Sequence, residues 1–260
     1  MPERIFIGVA WPYANGPLHL GQIAGAYLPA DIFARYHRLK GNDVLMVSGT
    51  DQHGTPITIR AEQEGLTPQE VVSKYHAQYL DVWAKLGISF DQYTTTGTAN
   101  HKKVVGDLFL SLLDKGLIYP ATAEYAYCTN DHRFLPDRYV DGTCPHCNFE
   151  RARGDQCDNC GRTLDPQDLL NWRCHICAKP PEMRESEHFF LKLSALQERL
   201  YTWAEKVGKG VWRPNVYGFT MNWLTEGLRD RAITRDVDWG VPLPMPGYET
   251  KRIYVWFEAC

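Results

Sequence analysis

The first residues in the chain whose types and spacing could do chemistry are His19-Leu20-Gly21-Gln22, which follow the turn PYANGP. At the start of a helix, free backbone N–H groups and the helix dipole attract anions. His19 and Gln22 add side-chain donors, and Gly21 lets a flat base or a phosphate approach the backbone. The stretch is neither a Walker loop nor a Gly-x-Gly-x-x-Gly fingerprint. It predicts a nucleotide site, with an ordinary helix N-terminus as the alternative.

The cysteines form a second reactive group. Six of them occur as three Cys-x-x-Cys pairs, at Cys144/Cys147, Cys157/Cys160 and Cys174/Cys177. The first two pairs are separated by nine residues, a spacing typical of a tetrahedral structural zinc site with four thiolate ligands. Zinc binding contributes about 10–16 kcal/mol to folding, which is enough to hold a small polar insertion together. Because four thiolates saturate the metal, it has no open position for catalysis.

The third cysteine pair needs ligands from elsewhere in the chain. Cys128 offers one thiolate, and either Asp131 or His132 offers a fourth ligand; the spacing does not choose between them. We therefore expect a second zinc site made of Cys128, Cys174, Cys177 and one of those two residues. Redox dithiols and unligated buried thiols are the alternatives for both cysteine groups.

The elements that position these residues follow from hydrophobic periodicity. RIFIGVA and DVLMVSGTD are typical of buried strands, and each is followed by a helical pattern. This alternation predicts an α/β fold with a parallel sheet and right-handed crossovers. Ligands bind at the carboxyl ends of the strands in such sheets, so residues 11–22 and 48–53 are expected at one edge.

Several further features are predicted along the chain. Pro29 should kink the helix in which it lies, because it has no N–H to donate. Helices are predicted at 67–86, 98–116 and 188–208, and KRIYVWFEAC predicts a last buried strand. From residue 118 to about 180 the chain is rich in Cys, Asp, Gly and Arg, which indicates a small metal-dependent insertion. His37, His76 and His101 are expected on the surface.

Composition narrows the class of protein. The chain has 260 residues, 44% of them hydrophobic, and can form a sizeable core in one or two domains. A net charge of -3 argues against binding nucleic acid through a broad basic surface. No apolar run is long enough to predict a membrane span, and the short N-terminus leaves no room for a signal peptide. The expected location is the cytoplasm.

Six segments resemble, in order and spacing, motifs of the methionyl-tRNA synthetases, a family of class I aminoacyl-tRNA synthetases. They are PYANGPLHLGQ, SGTDQHGTPI, RFLPDRYVDGTCPHC, ARGDQCDNCGRTLDP, TRDVDWGVPLP and YVWFEA. The resemblance covers essentially the whole chain and implies a Rossmann-type catalytic domain split by a zinc-knuckle connective insertion. The implied divisions are 1–117 for the first half, 118–230 for the insertion and 231–260 for an incomplete second half.

The resemblance also implies an activity. Methionine and ATP, with Mg²⁺, would give methionyl-adenylate and pyrophosphate, and the methionyl group would then pass to tRNA(Met). His19 and Gln22 would contact the ATP phosphates, Gly21 would lie under adenine, and Arg235, with Asp236 beside it, would lie near the ATP.

The same resemblance assigns a methionine site. Asp51 would hold the methionine ammonium, and His53 is a weaker candidate in the same region. The residues implied in or beside the side-chain pocket are Ala10, Trp11, Tyr13, Trp256 and Ala259. Aromatic walls suit a thioether side chain.

Two departures from the family pattern stand out. The fourth residue of the class I His-Ile-Gly-His signature is histidine, whereas this chain has Gln22, which donates a hydrogen bond but cannot become cationic. We expect reduced but real phosphate stabilisation. The family's Lys-Met-Ser-Lys-Ser loop and anticodon-binding domain lie downstream of Cys260. The chain is therefore expected to be a fragment with little activity alone.

Three other functions compete with this one. A non-catalytic zinc-knuckle module that binds a nucleotide or tRNA is the main alternative. A leucyl-, isoleucyl- or valyl-tRNA synthetase would need a much larger insertion, and a related nucleotidylyltransferase would have the turn but no cysteine knuckles.

Overall fold

The computed structural model describes residues 2–259, and a parallel sheet forms the first part of the fold. Its strands are β1 (Arg4–Gly8), β2 (Asp43–Thr50) and β3 (Gln92–Thr95), in that spatial order. Both pairings are parallel. The two strands predicted from the sequence and their parallel arrangement are therefore confirmed, and the carboxyl ends of β1 and β2 lie at the same edge.

The crossover from β1 to β2 is a helix whose register changes along its length. It consists of α1 (Leu20–Gln22), a π-helical segment (Ile23–Tyr27) and α2 (Leu28–Leu39). The N–H of Leu28 donates to the carbonyl of Ile23, five residues back. Pro29 follows directly and has no N–H to donate. The irregularity predicted at Pro29 is thus a π-helical turn before it, a feature that is frequent at functional sites.

Two further helices lie between β2 and β3, and a third follows β3. They are α3 (Thr55–Glu64), α4 (Pro68–Leu86) and α5 (Ala99–Asp114). A capping box between Thr67 and Glu70 begins α4, and Gly87, with a φ of 64°, ends it. These bounds confirm the helices predicted over 67–86 and 98–116. Buried residues of α3 and α4 form the first core together with Met46.

The region after residue 117 is mainly antiparallel. It begins with β4 (Ile118–Cys128), β5 (Arg133–Phe134), β6 (Val140–Thr143), β7 (Ala152–Arg153), β8 (Leu170–Cys174) and β9 (Glu182–Leu191). The strand β4 pairs with β9 along nearly its whole length, and β6 lies between β7 and β8. The Cys-x-x-Cys pairs therefore adjoin a small three-stranded sheet, whereas β4 and β9 form the centre of a four-stranded antiparallel sheet.

The helix predicted over 188–208 begins later than expected. Residues 188–191 belong to β9, a short 3₁₀ turn follows at Leu193–Leu196, and α6 spans Gln197–Gly208. The prediction was wrong for its first turns because the pairing of β9 with β4 overrides the local helical pattern. A further helix, α7 (Pro214–Glu226), packs against α6.

The last described segment begins by pairing with β9 in the antiparallel region and ends against the loop after β2. It contains β10 (Arg231–Ala232), β11 (Thr234–Asp236), β12 (Lys251–Ile253) and α8 (Val255–Glu258). The predicted strand over 251–260 was therefore wrong after Ile253, and Cys260 lies outside the described residues. A short apolar run cannot distinguish a strand from a buried helical turn, and here the N–H groups of Phe257 and Glu258 donate to the carbonyl of Tyr254.

Two more cores complete the packing. One surrounds the cysteine groups, and the other joins α5, β4 and β9 to the last segment through Phe109, Phe189, Ile253 and Phe257. Within residues 2–259, none of the helices has both the length and the apolar composition that a bilayer span requires.

Candidate functional site

The loops after β1 and β2 are hydrogen-bonded to one another. Tyr13 pairs with Asp51 in a parallel bridge. The N–H of Ala14 donates to the Asp51 carbonyl at 2.9 Å, and the Asp51 N–H donates to the Pro12 carbonyl at 2.9 Å. Residues 11–22 and 48–53 therefore do meet at the carboxyl edge of the sheet, as the strand order predicted.

His19 and Gln22 form a capping box at the start of α1. The Gln22 N–H donates to Nδ1 of His19 at 3.2 Å, and the His19 N–H donates to Oε1 of Gln22 at 3.0 Å. Because Nδ1 accepts a hydrogen bond, the neutral imidazole has its proton on Nε2. The amide nitrogen of Gln22 is likewise left as a donor. The pair thus presents two side-chain donors on an exposed turn beside the helix N-terminus.

Gln22 therefore has a structural function that the sequence pattern alone did not reveal. A glutamine at the third helical position is the residue that completes a capping box. Gly21 is exposed, and a Cβ there would lie 3.1 Å from the His19 ring. A side chain at position 21 would therefore crowd the imidazole.

Asp51 is half-buried at this edge. Burial raises the pKa of its carboxyl to about 7; the backbone N–H of His53 opposes that rise, and the charge of Glu258 adds to it. The His53 N–H lies 3.4 Å from Oδ1 of Asp51. A carboxyl group that is costly to ionise alone gains most from a cationic partner, which suits the binding of an ammonium group.

Two aromatic side chains lie against glycines beside Asp51. A Cβ at Gly49 would lie 2.6 Å from the Trp11 ring, so only glycine allows the indole to lie on β2. The hydroxyl of Tyr13 donates to the carbonyl of His53 and occupies the space beside Gly54. Burial raises the pKa of Tyr13 far above its usual value. Tyr13 is therefore a neutral donor in this site.

The other residues expected in the methionine pocket lie at the surface of this edge. Ala10 and Ala259 are exposed, and the side chain of Trp256 is 70% exposed. Trp256 and Ala259 flank the buried Glu258 on and just after α8, which packs on the loop after Asp51 through Val255.

Sequence reasoning missed three residues beside Asp51. Glu258 accepts from Nδ1 of His53 at 2.6 Å, and Trp239 donates from Nε1 to the Gln52 carbonyl at 2.6 Å. His101, which was expected on the surface, is half-buried with Nε2 4.0 Å from Glu258. Glu258 and Trp239 lie inside the quoted segments YVWFEA and TRDVDWG, so their position beside aromatic motif residues was the available signal.

The other two histidines that were expected on the surface, His37 and His76, are also partly covered. His76 is half-buried, and its Nδ1 lies 2.8 Å from Oγ1 of Thr50, directly behind Asp51. Burial lowers the pKa of His76. His37 is half-buried as well and contacts Asn42 at 2.8 Å. Both rings find polar partners, so their helices can cover them.

Arg235 and Asp236 lie on β11, and their side chains contact residues of the antiparallel region and the last segment. Arg235 forms an ion pair with Asp137 at 3.2 Å and stacks on the Tyr254 ring at 3.9 Å. Asp236 contacts Lys251 at 2.7 Å and His188 at 3.0 Å. Burial would raise the pKa of Asp236, but these partners outweigh it and lower the pKa to about 2.

The first cysteine group has the geometry of a four-thiolate metal site. The Sγ atoms of Cys144, Cys147, Cys157 and Cys160 all lie within 4.8 Å of one another. Two of the distances are 3.9 Å, between Cys144 and Cys160, and 3.6 Å, between Cys147 and Cys157. A zinc tetrahedron with bonds of about 2.3 Å separates its sulfurs by about 3.8 Å. The residues present therefore fit a zinc ion.

The second group combines three thiolates with a carboxylate. Its members are Cys128, Asp131, Cys174 and Cys177, whose ligand atoms also lie within 4.8 Å of one another. Oδ2 of Asp131 lies 3.2 Å from the Cys128 sulfur and 3.1 Å from the Cys174 sulfur. Of the two fourth ligands that the sequence allowed, Asp131 is the one that faces the thiolates.

The backbone explains that choice. The residue after the second ligand of each turn is in the left-handed region, at Asn148, Gly161, Ala178 and His132. The second ligand of the Cys128 turn is therefore Asp131, and His132, with a φ of 51°, is the exposed residue that turns the chain.

Comparison with known proteins agrees with this architecture. The family model described as tRNA synthetases class I (M) matches residues 5–260. The methionine–tRNA ligase of Dehalococcoides mccartyi is 66% identical over 259 residues, which are 100% of this chain and 46% of that protein. The methionine–tRNA ligase of Thermomicrobium roseum is 57% identical over 259 residues, which are 100% of this chain and 44% of that protein. The chain thus spans about half the length of the curated relatives it matches.

A solved structure shows the same fold. It is the Mycobacterium tuberculosis methionyl-tRNA synthetase in complex with methionyl-adenylate, with a TM-score of 0.72 and 23% identity over 99% of this chain and 45% of that one. The predicted α/β fold with a Rossmann-type parallel sheet is confirmed. On the match of the family model and the identity to its relatives, this chain belongs to the class I tRNA synthetases of the methionyl type.

Proposed function

We propose that this chain contains the methionine-activating site of a methionine–tRNA ligase. The observation that supports this most directly is the pairing of Tyr13 with Asp51, which holds the half-buried Asp51 carboxyl at the same sheet edge as the turn that carries His19 and Gln22. The relatives named methionine–tRNA ligase, at 57–66% identity over the whole chain, support the same activity.

Methionine would bind by its ammonium group to Asp51. Its thioether side chain would contact Trp11 and Tyr13, with Ala10, Trp256 and Ala259 at the border of the pocket. Asp51 ionises when the ammonium binds, and the ion pair is strong because the carboxyl is half-buried. For two substrates that differ by one methylene, such a pocket gives binding free energies that differ by only about 1–3 kcal/mol.

ATP would bind along the turn at His19. The Nε2–H of His19 and the amide of Gln22 would donate to phosphate oxygens, and Gly21 would leave room for the adenine base. The methionine carboxylate would attack the α-phosphorus, forming the carboxyl–phosphate bond of methionyl-adenylate as the bond to pyrophosphate breaks. Each donor to the developing charge contributes about 1.5–3 kcal/mol. Mg²⁺ would accompany the ATP phosphates.

Other assignments belong to the same proposal. Arg235 would lie near the ATP, although in this structure its guanidinium pairs with Asp137. Cys144, Cys147, Cys157 and Cys160 would hold one structural zinc, and Cys128, Asp131, Cys174 and Cys177 would hold another. Zinc would supply folding free energy there. We further propose the division into 1–117, 118–230 and 231–260, tRNA(Met) as the acceptor, and a cytoplasmic location.

The test is a grafted ligase, in which this chain replaces the corresponding 46% of the Dehalococcoides mccartyi methionine–tRNA ligase. We expect methionine-dependent ATP–pyrophosphate exchange that falls at least about 10-fold in Asp51→Asn, because a hydrogen bond to a charged group is lost. The 260-residue chain alone should exchange far more slowly. No exchange by the folded grafted ligase would contradict the proposal and favour a non-catalytic zinc-knuckle module that binds a nucleotide or tRNA.

A further inference from the structure

A buried acid–base pair adjoins two of the residues proposed to bind methionine. Oε1 of Glu258 lies 2.6 Å from Nδ1 of His53, and the exposed fractions of the side chains are 0% for Glu258 and 4% for His53. The two residues are 205 positions apart in sequence. A fully buried carboxylate is costly unless it is paired, so this contact fixes both side chains.

The backbone of His53 is bonded to both residues proposed to hold methionine. Its N–H faces Oδ1 of Asp51 at 3.4 Å, and its carbonyl accepts from the Tyr13 hydroxyl. Its ring lies edge-on to Trp239, with centroids 5.7 Å apart. The position of the His53 imidazole therefore sets the position of the Asp51 loop.

The other end of the pair lies on α8, a helix of only four residues. A helix this short does not form without tertiary contacts. Its apolar residues Val255 and Phe257 are buried, but apolar contacts do not fix orientation as a short hydrogen bond does. Trp256 and Ala259 flank Glu258, so the orientation of Glu258 sets where those two residues face.

A third group faces the same carboxylate. Nε2 of His101 and Oε2 of Glu258 are 4.0 Å apart, and both atoms are buried without a hydrogen-bond partner. His53 is therefore the single close partner of the Glu258 carboxylate among the described residues. Loss of the His53 donor would leave a buried carboxylate with no hydrogen bond.

We propose that Glu258 is a positioning residue for methionine: by holding His53, it fixes α8 and its pocket residues against the Asp51 loop. This inference rests on the proposed function of the site. Glu258 does not touch the substrate in this view; it acts through His53. Its loss should weaken methionine binding selectively, because ATP is proposed to bind along the separate turn at His19.

The test measures the KM values for methionine and ATP in the grafted ligase. Glu258→Ala is expected to raise KM for methionine about 10- to 100-fold, because a shift of about 1 Å in a binding group costs up to about 100-fold. KM for ATP should change less than about threefold. Glu258→Gln keeps an acceptor for His53 and is expected to lie between the wild type and Glu258→Ala.

A matched pair at His53 tests the same contact from its other end and covers the case in which Glu258→Ala does not fold. The amide nitrogen of His53→Asn overlaps Nδ1, so this variant should keep KM for methionine close to that of the wild type. His53→Leu fills a similar volume without a donor and should reproduce Glu258→Ala. As a control, Asp31→Ala removes another buried carboxylate, which pairs with the exposed Arg35 at 2.6 Å, and should lower Tm without changing either KM.

Active-site titration separates misplacement from loss of folded protein. If Glu258→Ala and His53→Leu leave KM for methionine unchanged, and kcat falls only in proportion to the titrated fraction of active sites, the positioning role is refuted. An equal rise in both KM values refutes it as well. These outcomes occur in an active grafted ligase, whereas a folded but inactive wild-type graft contradicts the proposed function itself.

Discussion

Methionine binding should depend on the ionisation of Asp51. Burial raises the pKa of this carboxyl to about 7 in the free protein, and binding of the ammonium group requires the charged form. About a tenth of the Asp51 carboxyls are ionised one pH unit below that pKa and about nine tenths one unit above it. Because apparent affinity scales with the competent fraction, the dissociation constant for methionine should be about tenfold higher at pH 6 than at pH 8.

The linked proton can be counted. At pH 6, methionine binding should release close to one proton per site, and at pH 8 close to none, because Asp51 is already ionised there. Isothermal titration calorimetry of the grafted ligase, in two buffers with different ionisation enthalpies, measures this number directly. Asp51→Asn is the matched control: it should bind methionine weakly and without the linked proton. Binding that releases no proton at either pH would refute the assignment of Asp51 as the ammonium ligand.

The same ionisation has a consequence for stability. The pKa of Asp51 is raised in the folded state, so the native protein binds more protons than the unfolded chain between about pH 4 and pH 7. Its contribution to the free energy of unfolding is therefore complete below that window and is lost as the pH rises towards 7. In Asp51→Asn the stability should fall less over this interval, which urea unfolding at several pH values would measure.

Three further predictions concern other residues. Gln22→Ala should slow pyrophosphate exchange, and it should lower the free energy of unfolding measured in urea by about 0.5–2 kcal/mol because the capping box is lost. An unchanged exchange rate would contradict a phosphate-facing role for Gln22. Gly49→Ala would bring a Cβ within 2.6 Å of the Trp11 ring, so it should raise KM for methionine and lower the free energy of unfolding by about 1–3 kcal/mol. If KM and the free energy of unfolding both stayed unchanged, Trp11 would not be confined there. Asp131→Ala should lower the zinc released by a thiol-modifying reagent from two ions per chain to one, whereas His132→Ala should keep two; the reverse result would reassign the fourth ligand.

Much of the site could be predicted from local sequence. The strands that set its edge are short apolar runs, and their parallel pairing follows from the helices between them. The cysteine pairs predict the two candidate metal groups because both ligands of a knuckle come from one tight turn, so their spacing in the sequence fixes their distance in space. His19, Gly21 and Gln22 were identifiable for the same reason.

Only the tertiary structure decided the remainder, because it depends on contacts between distant segments. The pairing of β9 with β4 turned the first residues of a predicted helix into a strand. The left-handed backbone at His132 pointed Asp131 at the thiolates, a choice that one residue of spacing cannot show. Glu258 and His53, 205 positions apart, meet beside the residues proposed to bind methionine because the end of the described chain packs against the loop after β2. Periodicity reports which face of an element is buried, but not which distant side chain it is buried against.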